Sequence, residues 1–125
     1  MQWLWLVIVA ALLVYFVWNK IGGRGIRKIT GADLQEKMKA GGQALEIVDV
    51  REPSEFKGGH IVKAKNIPLG TLSSKLGEFS KDKEIVFVCR SGTRSMMAAK
   101  KAKKAGLNVY NLNGGMSAWH GPVRK

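Results

Sequence analysis

The sequence predicts an α/β domain built on a largely parallel sheet and preceded by one transmembrane helix. Two patterns point there. From residue 29 onward, short apolar runs alternate with helical stretches, as strand–helix–strand units require. From Trp3 to Trp18, sixteen residues (WLWLVIVAALLVYFVW) carry no charge, glycine or proline. The 125 residues hold one compact domain and an appendage, at roughly 100 to 200 residues per domain, and exclude a second enzyme domain.

The apolar run comes first along the chain. As a helix it spans ~24 Å, and Met1, Gln2 and Asn19 bring it near the ~30 Å of a bilayer's hydrocarbon layer. Trp3 and Trp5 at one end and Trp18 at the other suit the headgroup boundary. A cleaved signal peptide would need a cationic start and a small-residue cleavage site, yet nothing charged precedes Trp3 and the run ends in Tyr15, Phe16, Val17, Trp18 and Asn19. A core helix of so small a domain would rarely be apolar on every face. Lys20, Arg24, Arg27 and Lys28 follow the run, which by the positive-inside rule puts the C-terminal domain of a single-pass protein on the cytoplasmic side. The expected division is a transmembrane helix over 1–19, meeting the lipid bilayer through 3–18, a basic flexible tether over 20–28 with Gly22, Gly23 and Gly25, and a folded domain over 29–125.

Within the domain, Thr30 with Asp33 three residues on resembles a capping box and predicts a helix to about Ala40, stopped by Gly41-Gly42. Leu45 to Val50 (LEIVDV) is a short strand, Ala64 to Ile67 a second, and Leu69 to Phe79 a helix. Ile85 to Cys89 (IVFVC) is apolar throughout, the mark of a central strand. Ser95 to Ala105 forms an amphipathic helix, with Ala98, Ala99, Ala102 and Ala105 on one side and Lys100, Lys101, Lys103 and Lys104 on the other. Gly106 ends it, Val109 to Leu112 is the last strand, and a Gly114-Gly115 turn leads to Trp119.

Charge narrows the partners without choosing one. A formal net charge of +12 attracts anions, whether acidic lipid, nucleic acid or an oxyanion substrate. Nucleic acid is set aside, because no recognised module or aromatic–basic interleaving accompanies the charge. The lysine face reads as a solvated surface near a helix C-terminus, with contact to acidic headgroups as the alternative.

The single cysteine excludes an intrachain disulfide, and is either a buried structural residue or a nucleophile. Its position favours the second. Cys89 ends a buried strand, and Arg90, Ser91, Gly92, Thr93 and Arg94 lead into a helix. Such a loop turns several backbone N–H groups inward as an anion nest, the helix dipole adds to it, and a cysteine there should have a lowered pKa. Gly92 permits the tight turn, Ser91 and Thr93 add hydroxyls, and Arg90 and Arg94 supply charge for an oxyanion.

These residues also resemble a known family. Asp49 to Ile61 (DVREPSEFKGGHI), with Ala64 to Pro68 (AKNIP) following, is similar to the first signature of rhodanese domains. Val88 to Ser95 (VCRSGTRS) resembles their active loop, and Asn113 to Trp119 (NGGMSAW) their closing motif. The resemblance covers about Ile29 to Val123. It implies a parallel sheet of about five strands with helices on both faces, and a sulfurtransferase of the thiosulfate type. In that chemistry the cysteine takes sulfane sulfur from thiosulfate or a persulfide, small or protein-bound, and passes it to a thiol or other nucleophile. No metal or organic cofactor is implied, and His60, His120 and Cys89 could hardly assemble a metal site. Carried over by position, Cys89 is the nucleophile, Arg90, Ser91, Gly92, Thr93 and Arg94 bind substrate, and Arg94 grips donor oxygens. Asp49 and Arg51 support the loop, Glu55 and His60 form structural hydrogen bonds, and Trp119 packs in the core. Lys63 stands where the family usually has glycine.

Two other functions compete. A cysteine-dependent phosphatase would place its arginine six residues after the cysteine, whereas Ser95 stands there and the arginine comes one position early at Arg94. A non-catalytic, membrane-anchored binding module of rhodanese type would have no need of the cysteine and its loop.

Overall fold

The computed structural model describes residues 2–23, 25–41 and 44–125, without the side chains of 18–23. An N-terminal helix α1 (Gln2–Gly23) precedes the domain, and its large apolar side chains between Trp3 and Val17 are exposed. The membrane span expected over 3–18 does not hold: among the described residues, no helix is long and apolar enough to cross a membrane. The physical reason is length. Sixteen apolar residues at ~1.5 Å each give ~24 Å against ~30 Å of hydrocarbon, and beyond them α1 runs on into Asn19 and Lys20. The bilayer contact and the single-pass placement with a cytoplasmic C-terminal domain are corrected with it. The expected roles of the Trp18, Asn19 and Lys20 side chains, and of Met1, Arg24 and Gly42 altogether, lie outside the described residues. The tether also contracts, because α1 continues to Gly23 and strand β1 (Arg27–Ile29) takes up Arg27 and Lys28.

The domain is assembled by five parallel strands in the order β1, β6 (Asn108–Leu112), β5 (Glu84–Val88), β2 (Leu45–Asp49) and β4 (Lys65–Asn66). β5 lies at the centre, where its apolar run Ile85 to Val88 is buried on both faces. Alternation along the strands divides the core. Val48, Val50, Ile85 and Phe87 meet Leu72 of α4 (Leu69–Lys75) and Ala98, Ala99 and Ala102 of α5 (Thr93–Lys104). On the other face Ile47, Val86 and Val88 meet Leu34 of α2 (Gly31–Lys39), Ile61 and Trp119. Each large buried aliphatic or aromatic side chain stabilises the fold by about 1.5–3 kcal/mol.

Local signals explain the ends of these elements. The Thr30 hydroxyl accepts the Asp33 N–H at 3.1 Å and starts α2. α4 gives way to a 3₁₀ turn over Leu76–Glu78, where Gly77 weakens a regular helix. Three features escaped the sequence patterns because they are too short for periodicity: strand β1, helix α3 (Pro53–Lys57), and a two-stranded antiparallel sheet of β3 (His60–Ile61) with β7 (Val123–Arg124). α3 opens on a capping box, with the Glu52 N–H donating to Glu55 Oε1 at 3.1 Å and Pro53 in the first turn.

Candidate active site

Cys89 follows β5, and α5 begins four residues later, so the intervening loop turns over the sulfur. Gly92 makes that turn at φ 106°, a conformation side chains other than glycine's rarely adopt. Its N–H then points back and donates to Cys89 Sγ at 3.0 Å. The loop is also held from behind. Met116 N–H donates to Cys89 O at 2.8 Å and Ser117 N–H to Arg90 O at 3.0 Å. Gly115 is required for that approach, since a Cβ there would meet Cys89 O at 2.3 Å. The second half of the closing motif is thus a backing plate for the loop.

The sulfur itself is buried, with Cys89 only 1% exposed. Burial pushes the thiol's pKa up, but the Ser95 hydroxyl and the backbone N–H groups of Ser95, Gly92 and Ser91 together outweigh it, leaving the pKa below its ordinary value. Ser95 Oγ lies 3.3 Å from Sγ and donates to Asn111 Oδ1 at 2.5 Å, while Asn111 Nδ2 donates to Gly92 O at 3.2 Å. This polar chain sits beside the apolar cluster to which Cys89 belongs.

Two ion pairs flank the loop. Asp49, the last residue of β2, and Arg51, two residues on, form a buried bidentate pair, with Arg51 Nη2 to Asp49 Oδ2 at 2.7 Å and Nε to Oδ1 at 2.9 Å; Nη2 also donates to Gly59 O at 2.7 Å. Asn66 Nδ2 bonds the carbonyls of Asp49 and Arg51 at 3.0 and 2.9 Å and fixes that corner. The second pair is less buried: Arg94 reaches Glu55 of α3 through bonds of 2.7 and 2.9 Å. Arg94's hydrogen bond is the main reason the Glu55 carboxyl is lowered to about 2. His60 Nδ1 lies 2.8 Å from Phe56 O, and its ring stacks on Phe56.

Above the loop a cavity of about 360 Å³ opens, lined by Arg51, Glu55, Arg90, Met116 and Ser117. Arg90 is exposed there. Among the described residues it has no carboxylate partner, whereas Arg94, expected to grip donor oxygens, already has one. Ser91 and Thr93 are exposed in the loop and do not line the cavity. Among the described residues no group of three or more His, Cys, Asp or Glu is placed to hold a metal ion.

Sequence reasoning missed Ser95 and Asn111 as neighbours of the sulfur. Ser95 was legible as the last residue of the loop motif and the start of a helix, with no role at the sulfur. Asn111 did carry a signal: a polar residue inside the apolar strand 109–112 must find a partner once buried.

Comparison with known proteins agrees with this geometry. A family model for the rhodanese-like domain matches residues 30–122. The chain is 37% identical over 120 residues to the uncharacterized protein YqhL of Bacillus subtilis, covering 95% of this chain and 93% of that one. It is 38% identical over 79 residues to the thiosulfate sulfurtransferase GlpE of Shewanella oneidensis, covering 62% of this chain and 78% of GlpE. The crystal structure of a rhodanese-related protein from Thermoplasma volcanium superposes with a TM-score of 0.72 at 36% identity, covering 78% of this chain and 97% of that one. The chain belongs to the rhodanese-like domain family, and its relatives include sulfurtransferases.

Proposed function

We propose that this protein is a sulfurtransferase that moves sulfane sulfur from thiosulfate or a persulfide donor to a thiol acceptor through a persulfide on Cys89. One observation supports this above the others: the sulfur lies under a loop whose N–H groups are directed at it, at the N-terminus of α5. That arrangement stabilises a thiolate and afterwards the anionic outer sulfur of a persulfide. Cys89 thiolate attacks the outer sulfur of thiosulfate, the S–S bond breaks, and sulfite leaves with the electron pair. An acceptor thiolate then attacks the outer sulfur, and Cys89 departs as thiolate.

Arg90, exposed in the mouth of the cavity, receives the donor's oxygens, and the exposed hydroxyls of Ser91 and Thr93 follow it along the loop. Arg94 shapes the loop through Glu55, and Asp49 with Arg51 supports the floor. Intact mass before and after thiosulfate tests the assignment. The wild-type chain is expected to gain one sulfur, removable by a reductant, and Cys89→Ser to gain none. A wild-type chain that stays unloaded under both thiosulfate and a small persulfide would overturn it and leave a non-catalytic binding module.

A further inference from the structure

The Ser95 hydroxyl has one proton and two neighbours that can take it. Asn111 is oriented by its bond to Gly92 O, because turning the amide over would set two oxygens against each other; Oδ1 therefore faces Ser95 and can only accept. With the Ser95 proton on Oδ1, a lone pair of Oγ faces Cys89 Sγ 3.3 Å away, and the thiol S–H donates to it. A thiolate has no proton to give. For it to be held, the Ser95 O–H must turn from Asn111 to sulfur, leaving a buried amide oxygen without its donor.

We propose that the Ser95 hydroxyl is a two-position switch governed by Asn111, donating to Asn111 while Cys89 is a thiol or persulfide and to the sulfur while it is a thiolate. Ionisation sends the thiol proton to solvent and rotates Ser95 about its own C–O bond, with no bond to the Ser95 hydrogen broken. When the outer sulfur is added, Sγ becomes neutral and the hydroxyl returns to Asn111. Asn111 thus opposes the free thiolate and favours the loaded form. Only this last consequence rests on the sulfurtransferase reading. The other charged groups around the loop are Arg94 of α5, tied to Glu55 of α3, Arg90 at the mouth, and the Asp49–Arg51 pair at the end of β2. Among the described residues none of them hydrogen-bonds to the sulfur.

The test is the pH midpoint of Cys89 alkylation by iodoacetamide in the full chain, followed by intact mass. Ser95→Ala is expected to raise the midpoint by about one unit, which is about tenfold less thiolate below both midpoints. Ser95→Thr restores the wild-type value. Asn111→Leu lowers the midpoint when Ser95 is present and moves nothing in the Ser95→Ala background, where a mere loosening of the Gly92 loop would shift both. An unchanged midpoint in Ser95→Ala, or an Asn111→Leu shift of equal size in both backgrounds, overturns the switch. Should Asn111→Leu fail to fold, Asn111→Ala is read the same way; should both fail, equal midpoints for Ser95→Ala and Ser95→Thr overturn it and unequal ones support it. Alkylation needs no sulfur donor, so an unloadable chain with these shifts keeps the switch and loses the sulfurtransferase, and a loadable chain without them does the reverse.

Discussion

The two arginine–carboxylate pairs beside the loop share a bidentate geometry and differ in solvent. Asp49 and Arg51 have side chains 1% and 8% exposed, whereas Glu55 and Arg94 are 31% and 34% exposed. The first pair ties the end of β2 to the backbone at Gly59, and the second bridges α3 and α5 beside the cavity that Glu55 lines. Hydrogen bonds of equal length therefore do different work. A buried charge left alone has no water to turn to, while a half-wet one does.

The largest effect should come from breaking the inner pair. Arg51→Leu strands the Asp49 carboxylate, which among the described residues keeps only the backbone N–H of position 51, at 3.0 Å, and should cost about 3–5 kcal/mol in urea denaturation. Replacing both partners, as Asp49→Leu with Arg51→Leu, should recover a large part of that loss, because no buried charge remains. A single variant within about 1 kcal/mol of wild type would place the inner pair in the same class as the outer one.

Breaking the outer pair should be mild for stability and visible in function. Glu55→Gln is expected to cost about 1 kcal/mol or less, since both side chains are about a third exposed and salt screens them. It also frees the Arg94 guanidinium beside the cavity, so the KM for an anionic donor should fall while that for a neutral acceptor holds. A pH series gives an independent reading. Glu55 titrates at about 2 in the folded chain, below the ordinary carboxylate range. Its contribution is therefore complete above the unfolded value and lost as the pH falls from roughly 4.5 toward 2. Glu55→Gln should flatten that part of the stability profile, and a variant profile that still parallels wild type there would separate Glu55 from acid sensitivity.

The difference between the pairs also marks how much the sequence disclosed. The sheet was legible because β2, β5 and β6 carry apolar runs, and α5 because its alanines and lysines separate at helical spacing. The loop after Cys89 was legible because strand, glycine and helix start stand in immediate succession. Partners distant in sequence were not. Nothing local says that Arg94 meets Glu55, 39 residues away, or that Ser95 meets Asn111, 16 residues on. The second arises from the parallel crossover that sets β6 beside β5 and so brings Asn111 to the loop, and the first from the pairing of β2 with β5, which brings the segment after β2 to the same end of the sheet. The N-terminal run misled for a different reason: composition describes apolarity well, but sixteen residues fall short of the span that apolarity has to cover.

The smallest effect sets the scale for backbone terms next to these pairs. Lys63, in the turn after β3, has φ 70°, and it is the one residue other than glycine with positive φ among the described residues. The same stretch of chain contains Gly59, whose carbonyl receives Arg51. A side chain in the left-handed region is disfavoured by roughly 1–2 kcal/mol relative to glycine, and glycine's added freedom in the unfolded chain offsets part of that. Lys63→Gly should therefore stabilise the protein by about 0.5 kcal/mol in urea denaturation and leave sulfur loading of Cys89 unchanged. If it also moved the cost of Arg51→Leu, the turn and the inner pair would be one coupled unit; additive costs would confine the inner pair's contribution to the charges themselves.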